Sequence, residues 1–540
     1  MSKVEDAKAK LKLSARAGNA EYTCSRVLTS SRFALILFVT VSIWEFGVLF
    51  LMARRRLFWY DELVTFHVSN LHPFSILWRA LQAGVDSTPP GYNLLVQLAR
   101  KLPGDPHVTL RLPSILGYIL SLLGVYLFSR KKLPAFAGLT AVLLITLSPF
   151  REYALEARPY SLLVGFLAMS AVLWQRIDET WFMTPLLALF LILAVSSHYL
   201  AVVALSSFGI AELAWTLLSR RIRWGVWAAC LLASSPFFVC LPVLLHFRDI
   251  FGENIWARPS WILVRNTYGS YLGLDSKLVS VLILFFGLVV GDSLLRMVRP
   301  PRKRPCECGF SAPEIILVSG FVFYPALLVV LTKLLGSSYT SRYGWPAILG
   351  LVLGSVYLLR TLWLRSSSAY LLVALLIAFG LQGGHDFWML YKAGSTRVRV
   401  DERWTRLAEL SRSEPGIPVV IGSGIGYLEA AEYAPLELRD RLVQVVDPDV
   451  ATRLVGSDTT DKTNRLLAEF IPLRVEDLSR FQAAHQKFIL YSGGAYDWFT
   501  QYLVDSRYNM RLIGVVVVDL GGEELQHSKD DGGSVYIAER

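Results

Sequence analysis

The chain has 540 residues, of which 54% are hydrophobic and 18% charged, with a mean hydropathy of +0.44. That balance excludes a string of soluble domains, because most of such a chain must face lipid. The net charge of +11 divides unevenly: residues 1–388 hold 36 basic and 20 acidic side chains (+16), whereas residues 389–540 hold 18 and 23 (−5). The basic residues fall in short clusters between apolar runs, which is how membrane proteins mark their cytoplasmic side, so nucleic acid is not an expected partner.

In chain order, residues 1–32 carry seven basic and three acidic side chains and read as a cytoplasmic tail. No small-residue cleavage site follows the first apolar run, so that run is expected to be a retained anchor. A helix crossing the ~30 Å hydrocarbon core needs about 20 mainly apolar residues. Eleven segments qualify, near 33–53, 108–128, 134–150, 159–175, 181–197, 199–218, 224–245, 277–296, 314–334, 344–363 and 369–388. With the N-terminus in the cytoplasm, Arg130 to Lys132, Arg176, Arg220 to Arg223, the Arg296 to Arg304 cluster and Arg360 with Arg365 share one side. Arg54 to Arg56 dissent, and are read as part of a structured outer loop. Glu45 and Glu212 fall inside spans, where an acid needs a partner or a cavity.

Eleven crossings place residues 389–540 outside the cytoplasm. There Ile417 to Ile421, Leu442 to Val446, Lys487 to Tyr491, Ile513 to Leu520 and Val535 to Ala538 read as strands. Helical stretches near 401–412, 425–434, 462–470 and 495–506 alternate with them, predicting a small extracytoplasmic α/β domain. Gly422-Ser423-Gly424-Ile425-Gly426 has the spacing G-x-G-x-G instead of the dinucleotide G-x-G-x-x-G, and reads as a plain strand-to-helix turn. The five cysteines, Cys24, Cys230, Cys240, Cys306 and Cys308, include none in this domain, so no disulfide framework holds it. The C-x-C at 306–308 lacks the second pair of ligands that structural zinc needs. The expected architecture is therefore a polytopic α-helical membrane protein: a tail at 1–32, a membrane domain at 33–388 with a long active-site loop at 54–107, and an α/β domain at 389–540.

With this orientation the uncommon polar residues gather on one side. The loop 54–107 holds Trp59-Tyr60-Asp61-Glu62, Asp86 and Ser87-Thr88-Pro89-Pro90-Gly91-Tyr92. Later loops hold Arg151 to Tyr160, His198 with Tyr199, the stretch His246 to Trp261, and Ser337 to Tyr343. A single Tyr or Arg there reads as an interfacial anchor. Two adjacent carboxylates beside Trp59 and Tyr60 are different, because desolvation at an apolar boundary raises their basicity.

The order of these motifs resembles the GT-C membrane glycosyltransferases, which include protein O-mannosyltransferases and the aminoarabinose transferase of lipid A. The resemblance is carried by Asp61-Glu62 after the first span, Thr88-Pro89-Pro90-Gly91-Tyr92, Arg111-Leu112-Pro113-Ser114, Ser148-Pro149 followed by Glu156-Ala157-Arg158-Pro159-Tyr160, and Ser341-Arg342-Tyr343. It covers roughly residues 33–388. It implies transfer of a monosaccharide from a polyprenyl-phosphate carrier to a glycan, lipid or protein acceptor on the extracytoplasmic side, with inversion at the anomeric carbon. A bacterial inner (plasma) membrane is the expected location.

On that resemblance Asp61 is the expected general base, with Glu62 orienting it or sharing a metal. Arg158 and Arg342 are expected to hold the phosphate, since a guanidinium fork suits phosphate oxygens. Asp86, Tyr160 and Tyr343 are expected to contact substrate. Aminoarabinose-type members have an acidic residue followed by lysine where this chain has Asp86-Ser87-Thr88, a departure that shifts the phosphate role toward Arg158. Asp86 and His198 together could hold a divalent cation. A lipid-linked glycan ligase and a transporter or flippase are the competing readings. The site's place at one rim, with no internal repeat, disfavours a transporter.

Overall fold

The computed structural model describes residues 31–252, 257–272, 310–336, 338–359, 367–392, 396–517 and 532–540. The expected span 277–296, the Arg296 to Arg304 cluster, Cys306 and Cys308, Ser337, Arg360 and Arg365 lie outside them, as does the tail before Ser31. Among the described residues five helices are long and apolar enough to cross a membrane: Ser31–Arg55, Pro106–Lys132, Tyr199–Ser219, Trp224–Phe251 and Leu371–Lys392. Two bent pairs raise this to seven. Ala135–Thr146 turns by 68° into Pro149–Leu155, and Ala312–Val322 turns by 55° into Tyr324–Leu335. Each bend stands beside a proline, Pro149 and Pro325, which removes an amide donor and crowds the preceding turn. Shorter apolar helices span Tyr160–Gln175, Met183–Ser197 and Ala347–Leu358. Every expected span inside the described residues coincides with one of these elements. The chain is an integral membrane protein.

Close packing fixes the helices that carry the site. A Cβ on Gly117 would come within 2.3 Å of Leu162 Cα, and one on Gly165 within 2.2 Å of Gly117 O. Helices Pro106–Lys132 and Tyr160–Gln175 thus meet backbone to backbone, as small residues allow in membranes. The acids inside spans are paired. Glu45 Oε2 accepts from Arg151 Nε at 2.6 Å and Tyr118 Oη at 3.2 Å, while Arg151 also reaches Asp386 at 2.7 Å. Glu212 accepts from Arg223 Nε and from Trp174 Nε1, both at 2.9 Å. Buried charges persist in this way when each has a hydrogen-bonded counter-ion.

Residues 54–107 are not an open loop. They form three helices, Tyr60–Ser69, Phe74–Gln82 and Pro90–Ala99. At nine or ten residues each is too short to register as a span, and each is amphipathic, burying Leu63 and Val68, Leu77 and Leu81, or Tyr92 and Val96. The stretch expected as a loop from His246 is likewise helical up to Phe251.

The C-terminal part builds a six-stranded sheet. Its strands are β1 (Val419–Ile421), β2 (Leu442–Val446), β3 (Val475–Asp477), β4 (Lys487–Ser492), β5 (Asn509–Val517) and β6 (Gly532–Glu539), in the order β3-β2-β1-β4-β6-β5. The first four are parallel, with Val419 opposite Leu442 and Ile489; β6 and β5 extend the sheet antiparallel. β1 and β2 are buried at every position because helices cover both faces. Trp404, Leu407 and Tyr427 pack on one side, and Phe481, Trp498 and Phe499 on the other. The short β3 and the helices Pro448–Val455 and Leu478–Ala484 carried no periodicity long enough to predict. The glycine turn is closed by the chain itself: a Cβ on Gly422 would stand 2.3 Å from Asp497 Oδ1, and Ser423 Oγ donates to Ala495 O.

Candidate active site

One cavity brings together most of the polar residues singled out in the sequence. Asp61, Asp86, Arg158, Tyr160, His198, Arg342 and Tyr343 all line it. They come from different elements: Asp61 from the first turn of Tyr60–Ser69, Asp86 from the turn before Pro90–Ala99, and Arg158 from the turn before Tyr160–Gln175. His198 sits at the break between two helices, and Arg342 with Tyr343 in a 3-10 turn, Ser341–Gly344. A second wall is apolar, with Phe237, Leu241, Leu244 and Leu335.

The charges are arranged as two carboxylate–guanidinium pairs. Arg342 Nη1 donates to Asp61 Oδ2 at 2.6 Å, and its guanidinium lies 5.6 Å from the centre of the Trp59 ring. Arg158 Nη1 stands 3.7 Å from Asp86 Oδ2 and donates to Thr65 Oγ1 at 3.1 Å. Asp86 Oδ1 accepts from the amide and hydroxyl of Thr88, at 3.1 and 3.0 Å. Burial works against the charge of both arginines. Asp86 and then Asp61 more than offset this for Arg158, and Asp61 does so first for Arg342, so both pKa values stand above the ordinary value. Two charged guanidinium groups, one buried and one partly buried, therefore face the cavity.

Glu62 is not brought to the cavity. Its side chain is fully buried and accepts from Arg111 Nε and Nη2, both at 2.7 Å, from the Ala157 amide at 2.7 Å and from the Trp59 amide at 3.3 Å. The expectation that it orients Asp61 or shares a metal gives way to a geometric one. On a helix, adjacent side chains diverge by about 100°, so Asp61 can face the cavity only if Glu62 faces the packed interior. There, with Ser114 Oγ donating to Arg158 O at 2.8 Å, Glu62 fixes the backbone on either side of the Ala157–Arg158 bond. Arg111 Nη1 and Nη2 also donate to the carbonyls of Ala53, Arg56 and Leu57, which explains how Arg54 to Arg56 are held in a structured loop.

His198 does not fit a metal. Its Nδ1 accepts from Leu200 N at 3.2 Å, and its ring packs 5.8 Å from that of Tyr160 and 5.4 Å from that of Tyr343. Burial, then Arg158 and Arg342, lower its pKa to about 3. Neighbours that repel an imidazolium also repel a divalent cation, and among the described residues no group of three His, Cys, Asp or Glu is placed to hold one. The Asp86 and His198 pair is thus withdrawn as a metal site. With Nδ1 accepting, the ring proton sits on Nε2, making His198 a neutral donor.

A stability prediction follows. His67, lowered to about 4 by burial and by Arg100, behaves like His198. For a histidine with a depressed folded pKa, the unfolded state binds more protons below pH ~6.5, so stability is lost on acidification. Each group costs about 1.4 kcal/mol per pH unit between ~6.5 and its folded pKa. The unfolding midpoint in detergent should fall from pH 7 to pH 5, and His198→Gln should flatten that slope. An unchanged slope in the variant would contradict the assignment.

Sequence reasoning missed the structural role of Arg111, although Arg111-Leu112-Pro113-Ser114 was among the quoted motifs. It also missed Thr459 and Thr463, which reach the cavity from the C-terminal part, and no local signal marks them.

Residues 87–246 match the family model described as dolichyl-phosphate-mannose-protein mannosyltransferase. No curated protein matches the chain. Among solved structures, the crystal structure of ArnT from Cupriavidus metallidurans bound to undecaprenyl phosphate is similar at 14% identity with a TM-score of 0.50, covering 93% of this chain and 97% of that one. The archaeal oligosaccharyltransferase AglB from Archaeoglobus fulgidus, in complex with an inhibitory peptide and a dolichol-phosphate, is similar at 11% identity with a TM-score of 0.39, covering 85% and 69%. At 14% identity the likeness to ArnT concerns the fold. The family match spans less than a third of the chain, and beside it stands an overall fold similar to that of ArnT.

Proposed function

We propose that the protein transfers a monosaccharide from a polyprenyl-phosphate-linked donor to an acceptor nucleophile, with inversion at the anomeric carbon. The observation that carries this reading is the cavity itself, where two guanidinium groups, the buried Arg158 and the partly buried Arg342, adjoin an apolar wall of Phe237, Leu241 and Leu244. A phosphate with a hydrocarbon tail satisfies both halves, and the similar ArnT binds undecaprenyl phosphate. In the resting site Asp61 and Asp86 serve as counter-ions to the arginines. An arriving phosphate replaces them: Arg342 turns from Asp61 to the phosphate, and the released Asp61 carboxylate faces the acceptor. The acceptor oxygen then bonds to the anomeric carbon as the bond from that carbon to the phosphate oxygen breaks. Its electrons go to the departing polyprenyl phosphate, and Asp61 takes the acceptor's proton. The arginines stabilise the developing phosphate charge, so no strong general acid is needed. Tyr160 and Tyr343 line the same space, and His198 Nε2–H donates to a sugar or phosphate oxygen.

An extracytoplasmic site is supported by the helix Pro106–Lys132. Arg111, near its start, lies beside the site, whereas Arg130 to Lys132 close its far end. If basic clusters mark the cytoplasmic side, this supports a cavity, and a C-terminal part touching it, on the extracytoplasmic side.

The reading is tested with the purified protein in membranes supplied with radiolabelled polyprenyl-phosphate sugars and crude envelope acceptors. Labelled acceptor supports it; no transfer from any such donor overturns it. Arg158→Ala should raise the donor KM about 10- to 100-fold, the range of a hydrogen bond to a charged group, while the acceptor KM stays put. A shift confined to the acceptor would remove the phosphate role.

A further inference from the structure

The helix Thr459–Leu467 belongs to the C-terminal α/β part, yet it completes the cavity that the membrane helices open. Thr459 and Thr463 both line it, four residues apart and so on one face. The helix is held from several directions. Asn464 Oδ1 accepts from Tyr60 Oη at 3.0 Å, while its Nδ2 donates to Gly424 O and to Gln444 Oε1 of β2, both at 2.8 Å. One buried amide thereby ties the residue next to Asp61 to the sheet. Lys462 Nζ donates to Ile250 O at 2.7 Å, at the end of the membrane helix that supplies the apolar wall. Leu467 is fully buried within the core formed by the membrane helices. The two threonines are therefore fixed parts of the wall.

Their chemistry differs from the rest of the cavity. The guanidinium groups suit an anion and the leucines a hydrocarbon chain. Threonine hydroxyls, each able to donate once and accept twice, suit an uncharged group bearing hydroxyls. Thr459 Oγ1 accepts from Ser457 Oγ at 3.1 Å, which leaves its own proton to donate. Thr463 is buried, and the neighbouring Asn464 accepts from the Tyr60 hydroxyl, which anchors this turn of the helix. Ser87 and Thr88 add further hydroxyls to the same lining.

We infer that Thr459 and Thr463 form a sugar-hydroxyl subsite by which the C-terminal part decides which saccharide the cavity accepts. This rests on the glycosyl-transfer reading above. The saccharide is either the donor's sugar or a sugar of the acceptor, and the two are separable by experiment.

The test uses the full-length protein in detergent, with Thr459→Val and Thr463→Val as near-isosteric variants and Thr463→Ser to restore a hydroxyl. Calorimetry gives the affinity ratio between glycosylated and bare polyprenyl phosphate. If the subsite reads the donor, the wild type prefers the glycosylated lipid, each Val variant loses about 10-fold of that preference, in line with one hydrogen bond, and Ser restores it. If it reads the acceptor, the ratio stays constant and the KM for a saccharide acceptor rises about 10-fold instead. Val variants with wild-type unfolding midpoints, an unchanged ratio and an unchanged acceptor KM would overturn the inference. Transfer is measured in parallel: a wild type that shows the threonine-dependent preference but transfers nothing keeps the subsite and removes the catalytic reading.

Discussion

Asp61→Asn is expected to lower kcat for transfer by about 100- to 10,000-fold, the usual contribution of a positioned general base, while donor binding is kept or strengthened. The second half of that expectation comes from the ion pair. Asp61 Oδ2 holds Arg342 Nη1 at 2.6 Å and competes with any phosphate for the same guanidinium. The amide of asparagine keeps the shape and removes the competing charge, so Arg342 becomes more available to the donor. A fall in kcat with an equal or lower donor KM is the signature, measured by steady-state transfer from a radiolabelled donor. Undiminished kcat would sink the base assignment. A large rise in donor KM would show that Asp61 organises the phosphate site instead of acting on the acceptor.

The neighbouring Glu62→Ala should act on stability first. It removes the carboxylate that pairs with two nitrogens of Arg111, and both side chains are fully buried. Breaking one partner of a buried pair costs about 3–5 kcal/mol, and the Ala157 amide, which also donates to Glu62, adds about 1–3 kcal/mol if left unsatisfied. A large drop in the unfolding midpoint in detergent is expected, together with a weakened donor affinity, since Ala157 precedes Arg158. Removing the pair as a whole, Glu62→Leu with Arg111→Met, should not restore stability, because Arg111 also satisfies the carbonyls of Ala53, Arg56 and Leu57. Wild-type stability in Glu62→Ala would contradict the account. Asp61→Asn, by contrast, should leave the midpoint nearly unchanged, because Asp61 opens on the cavity.

The contrast between these two acids shows where sequence reading stops. Both looked alike as adjacent carboxylates at an apolar boundary. Their division of labour depends on which helix face meets the cavity, and that is set by Arg111, nearly fifty residues away. The same holds for His198: a histidine among acids suggested a ligand, but Arg158 and Arg342 are its neighbours in space. The three short helices within 54–107 escaped notice because span-finding rewards long apolar runs, and an amphipathic helix of ten residues has none.

In the C-terminal part β1, β2 and β4 were visible as short apolar runs, but the use of that part was not. Its helix Thr459–Leu467 has an amphipathic, polar-rich sequence that would suit any exposed surface. Deleting residues 395–540 would therefore do more than remove an appendage, because it takes away one wall of the cavity.

By itself the sequence determined that this is a membrane protein. It located the apolar helices inside the described residues, because lipid demands long hydrophobic runs that composition cannot hide. It also named Asp61, Asp86, Arg158, Tyr160, Arg342 and Tyr343, whose order along the chain matched a known pattern. Tertiary structure alone decided that Asp61 pairs with Arg342, that Glu62 turns inward to Arg111, that His198 Nδ1 accepts from the Leu200 amide, and that Thr459 and Thr463 join the site. Most of these depend on contacts between residues far apart in the chain, and the periodicity that reveals an element does not record which distant element its polar face will meet.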